Sequence, residues 1–157
     1  MKVNRFEDLD CWKEARVLVR KVYEATRDGA FQRDFRLAGQ IQSAAASVMA
    51  NITEGFTRRS DKEFVQFLFI AMSSAAEVQS HLYVALDQHY VDQAQFREIY
   101  DQANKTAMII SGLVKYLRTK NGLKINVVAK MSKAAEGSTG QNRHDKPNGP
   151  NSRNRRD

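Results

Sequence analysis

Apolar side chains recur at intervals of three and four residues along four separate segments of this chain. The four stripes are Leu9, Trp12, Ala15, Val19 and Val22; Leu37, Ile41, Ala44 or Ala45, Val48 and Ile52; Phe64, Leu68, Ala71, Ala75, Val78 and Leu82; and Phe96, Ile99, Ala103, Thr106 or Ala107, Ile110, Leu113 and Leu117. That spacing marks one buried face of an α-helix. No segment before residue 123 alternates strictly between apolar and polar residues, so the pattern predicts an all-α protein. Four helices of about 20–28 residues with short links form an antiparallel up-down-up-down four-helix bundle.

Helix-start and helix-stop signals separate the four stripes. The candidate N-caps are Asn4 or Asp8, Asp34, Ser60 and Asp92, and the candidate ends are Gly29, Thr57, Asp87 and Gly122. Ser60 is followed three residues later by Glu63, and Asp92 by Gln95. This is the capping-box spacing, in which the paired side chains satisfy free N–H groups of the first helical turn.

The second predicted helix is rich in small residues. Gly39, Ala44, Ala45, Ser47 and Ala50 are examples. Small side chains let a neighbouring helix approach to about 8–10 Å between the axes. A glycine inside a helix costs about 1 kcal/mol relative to alanine, and close packing at Gly39 is the expected compensation.

Polar residues lie on or beside the small-residue faces of the second and third predicted helices. They are Gln40, Asn51, Glu54, Ser74 and Glu77. Buried polar groups need hydrogen-bond partners. We interpret these residues as a network that fixes the register between helices or subunits, and a ligand pocket is the alternative.

The third predicted helix is apolar on more than one face between Phe64 and Met72. Val65, Phe69, Ile70 and Met72 fall outside its core stripe. A lone surface helix has a polar back, and large exposed apolar patches mark interaction sites. These four residues are therefore predicted to form an oligomer interface, with a second copy or with another partner. A neighbouring helix or the C-terminal segment folding over them is the alternative.

The positive charge of the chain is concentrated near its C-terminus. Residues 1–121 carry 17 Lys and Arg against 15 Asp and Glu, a net of +2, and residues 122–157 carry 8 against 3, a net of +5. The segment from Ser132 to Asp157 has no aromatic residue and no Val, Ile, Leu or Met, so it cannot bury enough apolar surface to offset its ordering entropy. We predict a bundle over residues 1–121 and a basic, largely disordered tail over residues 122–157.

Basic residues gather at one end of the predicted bundle. In an up-down topology the turn between the second and third predicted helices lies beside the end of the fourth. This end contains Arg58, Arg59, Lys62, Arg118 and Lys120, which we predict as nucleic-acid contacts. Such contacts are electrostatic and independent of base sequence, and several copies of the chain would multiply them. Ordinary solvated helix ends are the alternative.

No catalytic residue, metal site or cofactor site is predicted. Glu77 and His81 are four residues apart, whereas di-iron bundles use Glu-x-x-His with the two ligands three apart. Cys11 is the single cysteine and has no histidine nearby in the sequence, so a thiol that is either packed or simply exposed is expected, and not a catalytic one. The N-terminal stretch has no apolar core of a signal peptide, and no run of about 18 apolar residues is present. We expect a cytoplasmic protein outside the membrane.

The residues around the second turn resemble a known family. The pattern includes Phe6, Leu9 and Trp12, the run Ala50-Asn51-Ile52-x-Glu54-Gly55, and Ser60-x-x-Glu63-Phe64 followed by Phe67-Leu68 and Ile70-Ala71. Over residues 5–121 the chain resembles the four-helix-bundle family of 23S rRNA intervening-sequence proteins. The resemblance implies an antiparallel bundle that assembles into a barrel-like homopentamer. Members are encoded in insertions within bacterial large-subunit rRNA genes.

The resemblance extends to the accessory variability determinants of diversity-generating retroelements, and it implies no catalytic residues. The leading hypothesis is a non-enzymatic homo-oligomer that binds nucleic acid, with RNA as the expected partner, or that binds a protein already on the RNA. DNA is the alternative nucleic acid. The alternative hypothesis, which rests on the retroelement relation, is a protein–protein adaptor of a reverse transcriptase.

Overall fold

Five α-helices make up the residues described by the computed structural model, which are 3–58 and 60–137, with side chains as far as residue 119. They are α1 (Asp10–Ala25), α2 (Gly29–Arg33), α3 (Phe35–Thr57), α4 (Asp61–Asp87) and α5 (Gln93–Gly137), and one turn of 3-10 helix, Phe6–Asp8, precedes them. These residues contain no β-strand, which confirms the all-α prediction.

The four long helices pack around one core in the cyclic order α1, α3, α4, α5. Helix α3 packs on both α1 and α4. Tyr83 of α4 lies edge-on to Phe96 of α5 at 5.0 Å between ring centroids, and Lys21 of α1 pairs with Glu98 of α5. Each helix runs antiparallel to its neighbours, as in the predicted up-down-up-down bundle.

The C-terminal end of α5 differs from the prediction. The fourth predicted helix ends at Gly122, whereas α5 ends at Gly137 and includes residues 132–137, where disorder was predicted. A single glycine costs a helix only about 1 kcal/mol, and no proline lies between residues 122 and 137. The predicted disorder of residues 138–157 lies outside the described residues. The chain divides into two compact units between Gly122 and Leu123, and the packing described below belongs to the first.

The predicted caps of three helices are confirmed. Asp34 Oδ1 accepts a hydrogen bond from Leu37 N–H at 3.1 Å, and Ser60 Oγ accepts one from Glu63 N–H at 3.2 Å. Asp92 and Gln95 exchange side-chain and backbone bonds of 2.8 and 3.1 Å, which is a complete capping box. These bonds satisfy N–H groups that the helix itself leaves free.

The start of α1 was predicted incorrectly. Neither Asn4 nor Asp8 caps it, because a 3-10 turn comes first and α1 begins at Asp10 with no side-chain cap. Phe6 instead packs edge-on against Trp12 at 5.2 Å. This aromatic contact packs the preceding turn against α1, and the helix start has no side-chain cap.

The short helix α2 was not predicted. Gly29 has the left-handed φ of 69° expected of it, but it begins α2 rather than ending α1. Phe31 is buried and stacks on Tyr90 at 5.4 Å between centroids, and Tyr90 Oη donates to Asp34 Oδ2 at 3.3 Å. Helix α2 is therefore held on the bundle by contacts with a residue 59 positions away from Phe31.

Polar contacts between α1 and α5 centre on Glu14. Gln102 Nε2 donates to Glu14 Oε2 at 2.8 Å, and Lys105 Nζ donates to Glu14 Oε1 at 2.9 Å. These bonds favour the charged form and lower the pKa of the Glu14 carboxyl below its ordinary value. The pair α1–α5 is thus held partly by charge.

The pair α3–α4 is held instead by small residues. Ala44, Ala45, Ala71 and Ala75 are buried between or beside these helices. Ser47 Oγ and Ser74 Oγ lie 3.0 Å apart, and Asn51 Nδ2 donates to Ser47 O at 2.8 Å. This hydrogen-bonded cluster lies between the two helices and supports the structural interpretation of the predicted polar network. Gln40 and Glu77 lie on exposed positions outside the cluster.

Helices α3 and α4 are tightly packed at Gly55, whereas Gly39 is not crowded. A Cβ added to Gly55 would lie 2.7 Å from both Phe64 Cδ2 and Phe67 Cβ, whereas a Cβ on Gly39 would have nothing within 4 Å. The expectation that close packing compensates for Gly39 is therefore wrong. Gly39 lies on the outer side of α3, where an added methyl group has room.

The two glycines give a matched pair of stability predictions. Gly55→Ala should destabilise the fold by about 1–3 kcal/mol, because the methyl group overlaps Phe67 Cβ, which cannot move without the helix. Gly39→Ala should stabilise it by about 0.5–1 kcal/mol through helix propensity alone. Urea unfolding followed by circular dichroism measures both. Equal effects of the two substitutions would contradict the packing described at Gly55.

Candidate interaction surfaces

The predicted basic end, where α3 ends and α4 begins, contains fewer free cations than the sequence suggests. Arg58 pairs with Glu54, and its guanidinium carbon lies 4.7 Å from the centroid of the Phe67 ring. Arg118 lies over the Phe69 ring at 5.1 Å. Both distances are within the range of about 6 Å for a cation–π contact. These two arginines therefore have partners within the chain.

Lys62 is exposed and forms no ion pair among the described residues. The remaining two predicted contacts are not placed, because Arg59 and the side chain of Lys120 lie outside the described residues. Lys62 and Arg118 are both exposed, so this end can still offer positive charge to a polyanion.

Three arginines at the opposite end, where α1 ends and α3 begins, were not predicted as contacts. Arg27, Arg33 and Arg36 are exposed and form no ion pair in the part of the chain that the structure describes. Phe35 lies between the last two in the sequence and is 77% exposed. The run Arg33-Asp34-Phe35-Arg36, in which an aspartate and an aromatic residue lie between two arginines, is the signal that could have identified Arg33 and Arg36.

The four residues predicted as an oligomer interface do not share one surface. Phe69 and Ile70 are 42% and 49% exposed on the outer side of α4. Met72 is partly buried and packs against the core, and Val65 is 8% exposed within it. The outward apolar feature is thus the pair Phe69 and Ile70, which we call the α4 ridge.

The outer side of α3 and α4 is almost free of charge. No Asp, Glu, Lys or Arg occurs between Arg36 and Glu54 on α3, and Glu77 is the single one between Glu63 and Asp87 on α4. Apart from Glu77, the exposed positions of these stretches are small, amide-bearing, aromatic or aliphatic. By contrast, 7 of the 16 residues of α1 are charged. A helix surface exposed to water is rich in charged residues, as α1 is. The α3–α4 side lacks them and instead has the composition typical of an interaction surface.

An apolar groove lies between α1 and α3, with a volume of about 600 Å³. Its lining includes Trp12, Val19, Ala46, Met49, Ala50 and Thr53. The groove and the α4 ridge are at the same level of the bundle. The serines Ser47 of α3 and Ser74 of α4 are in contact and mark one level of the bundle. Counted from that level toward the end where α3 meets α4, Ala50 is about one helical turn away on α3. Ile70 is one turn away in the same direction on α4.

The groups with potential for catalysis are few in the described residues. No group of three or more His, Cys, Asp and Glu there could hold a metal ion. His81 Nε2 lies 3.5 Å from Glu77 Oε1 as an i,i+4 contact on α4. Cys11 is 2% exposed, and burial raises the pKa of its thiol to about 11. None of the described helices is long and apolar enough to cross a membrane.

Comparisons with known proteins agree with this fold. The family model described as 23S rRNA-intervening sequence protein matches residues 7–112. A crystal structure of a protein of unknown function, from the S23 ribosomal protein family of Bacteroides thetaiotaomicron, superposes with a TM-score of 0.61. Sequence identity is 20%, and the match covers 67% of this chain and 98% of the other, so the likeness concerns the fold alone. No curated protein matches the chain. The relation to diversity-generating retroelements stays a prediction.

The alkylation rate of Cys11 tests whether its thiol is reactive. With a thiol pKa of about 11, less than about 1% of Cys11 is thiolate at pH 8, against a quarter or so for an unperturbed cysteine. Alkylation by iodoacetamide at pH 8 should therefore be at least about 100-fold slower in the native protein than in the same protein unfolded in urea. The native rate should still be rising above pH 9. Equal rates in both states would contradict the burial of Cys11, and a faster rate in the native protein would show an activated thiol.

Proposed function

We propose, from the premise that this chain belongs to the family of 23S rRNA-intervening sequence proteins, that it is a non-enzymatic homo-oligomer that binds RNA through basic side chains. The observation that carries the proposal is the nearly uncharged outer side of α3 and α4, with the α4 ridge exposed on it. Exposing two large apolar side chains to water costs a free energy of about 25 cal/mol for each Å² of apolar surface. A second copy of the chain is the partner that is always present.

The position of the ridge and the groove supports a closed ring. The α4 ridge and the α1–α3 groove are on different sides of the bundle, so a contact between the ridge of one copy and the groove of the next is heterologous. A dimer formed in this way has one ridge and one groove unoccupied, and each can bind a further copy. Such contacts form a ring when the two surfaces need rotation without translation, and a filament otherwise. Because the ridge and the groove are at the same level, rotation alone can join them. The family resemblance implies five copies in that ring.

Assembly would also strengthen RNA binding. A single copy offers few free cations at the α3–α4 end, since Arg58 is paired with Glu54 and Arg118 lies over Phe69. Residues 122–157 add a net charge of +5, from 8 basic and 3 acidic residues. Several copies on one RNA molecule bind with an effective concentration that multiplies weak individual contacts. The proposed binding is thus weak for each chain and depends on assembly.

The heterologous contact can be tested with two complementary variants. Ile70→Glu removes the ridge and Ala50→Glu blocks the groove, and each should reduce the oligomer to a monomer in size-exclusion chromatography with light scattering. An equimolar mixture should give a dimer, because one intact ridge then meets one intact groove. A buried unpaired carboxylate costs several kcal/mol, which is enough to break a contact of this size.

Met108→Glu is the control for these variants, since Met108 is exposed on α5, away from both surfaces. This variant should keep the assembly of the unmodified protein. If the unmodified protein is a monomer, the proposal of an oligomer is contradicted. If the equimolar mixture stays monomeric, the ridge-to-groove contact is contradicted.

RNA binding can be tested by its dependence on salt. The full chain should shift structured RNA in a gel at about 50 mM salt, and its affinity should fall linearly in a log–log plot as salt rises. Lys62→Gln should reduce that slope by about 0.7–0.9 per chain, whereas Arg58→Gln should change it less, because Arg58 is already paired. Removal of residues 122–157 shows whether the basic segment contributes. Affinity no better than that of a neutral helical bundle would contradict the proposal.

A further inference from the structure

We propose that the groove at the end of the bundle where α1 ends and α3 begins binds unpaired RNA bases by stacking. The groove has a volume of about 400 Å³, within the range of about 300–1,000 Å³ of small-ligand sites. Its lining includes Tyr23, Arg27, Gln32, Phe35, Gly39 and Gln42. The inference rests on the proposed RNA binding and adds a site at the opposite end from the predicted basic residues.

Two exposed aromatic rings lie on this groove. Phe35 is 77% exposed and Tyr23 is 47% exposed. Neither ring packs against another aromatic ring among the residues described here. Phe35 is the first residue of α3, directly after its Asp34 cap, and contributes nothing to the core. Exposed aromatic side chains are the platforms on which single-stranded nucleic acids stack their bases, whatever the base.

The cations beside these rings are free. Arg27 lines the groove, Arg36 follows Phe35 on α3, and Arg33 ends α2. None of them forms an ion pair within the described ranges 3–58 and 60–119. The carboxylate of Asp34 is engaged by Leu37 N–H and Tyr90 Oη. Guanidinium groups pair with phosphate in a bidentate manner and also stack on bases.

The groove also offers an oriented amide. Gln42 Nε2 donates to Thr26 Oγ1 at 2.7 Å, and Thr26 Oγ1 donates to Val22 O at 2.9 Å, so the Gln42 side chain is held in place. Its carbonyl oxygen has no partner among the described residues. Side-chain amides pair with the donor and acceptor edges of bases. Gly39 leaves the floor of the groove open, because nothing lies within 4 Å of the position of its missing Cβ.

The chemistry favours single strands over duplexes. Bases in a duplex are already stacked and their pairing edges are occupied, so a stacking site accepts only unpaired bases. The segment 27–36 has a net charge of only +1, from three arginines and two aspartates. Binding at this groove should therefore depend less on salt than binding at a purely electrostatic site.

The test compares one RNA strand in two states. The probe is a fluorescein-labelled strand of about 12 nucleotides, a length within the range of single-strand site sizes, used alone or annealed to its complement. Fluorescence anisotropy with the full-length protein at about 0.2 M salt reports the affinity for each. Phe35→Ala should weaken binding of the single strand by about 5- to 150-fold and leave the duplex unchanged. Phe35→Trp should retain the affinity.

Two further variants make the result specific to the groove. Gly39→Leu fills its floor without a clash at Cβ and should weaken single-strand binding as Phe35→Ala does. Met108→Ala removes another exposed apolar side chain, on α5, and should have no effect. Circular dichroism and light scattering on each variant confirm that the fold and the assembly are unchanged.

The outcomes separate this inference from the proposed function. If the unmodified protein binds neither the strand nor the duplex, both fail together. If it binds RNA and neither Phe35→Ala nor Gly39→Leu changes the affinity, the stacking site alone is overturned. If Phe35→Ala changes the size of the assembly, the groove belongs to a contact with a second copy, and the stacking site is likewise overturned.

Discussion

The close approach of α3 and α4 is the constraint on which the rest of the structure depends. At Gly55 there is no room for even a methyl group, since a Cβ would lie 2.7 Å from Phe67 Cβ. Alanines continue the contact toward the middle of the helices, and the Ser47–Ser74 bond of 3.0 Å fixes the register. Two helices packed this closely place their outer sides next to each other. A lack of charge that would be incidental on one helix thereby becomes one continuous surface.

The bundle therefore has two chemically different sides. On the side of α1 and α5, charged residues are solvated or paired across the helices, as Glu14 is with Lys105 and Lys21 is with Glu98. On the side of α3 and α4, Glu77 is the single charged residue within two long stretches. An isolated chain gains nothing from such an asymmetry, because charged residues on that side would cost the core nothing. If another molecule covers the uncharged side, the lack of charge is favourable, because no charged group has to be desolvated in the contact.

Local patterns predicted the parts of the fold that local contacts decide. The caps at Asp34, Ser60 and Asp92 depend on residues three positions away, and all three are confirmed. Helix α2 escaped prediction because Phe31 is held by Tyr90, which no pattern of short range can reveal. Val65 was predicted to face outward because it lies next to the core stripe on the helical wheel. Whether such a position is buried depends on its contacts with the neighbouring helix, which a local sequence pattern does not reveal.

The surfaces were harder to predict than the helices, because charge can be counted in a sequence but its pairing cannot. Arg58 belongs to the basic turn that the sequence singles out, yet Glu54 and the Phe67 ring already satisfy it. Recruiting Arg58 to a phosphate would first break those contacts, so its net contribution to binding is smaller than that of a free arginine. Arg36 has no partner to lose within the described residues. Cations are therefore ranked as proposed RNA contacts by whether they lack an intramolecular partner in the folded chain, and not by how closely they cluster in the sequence. This ranking favours the end of the bundle where α3 begins.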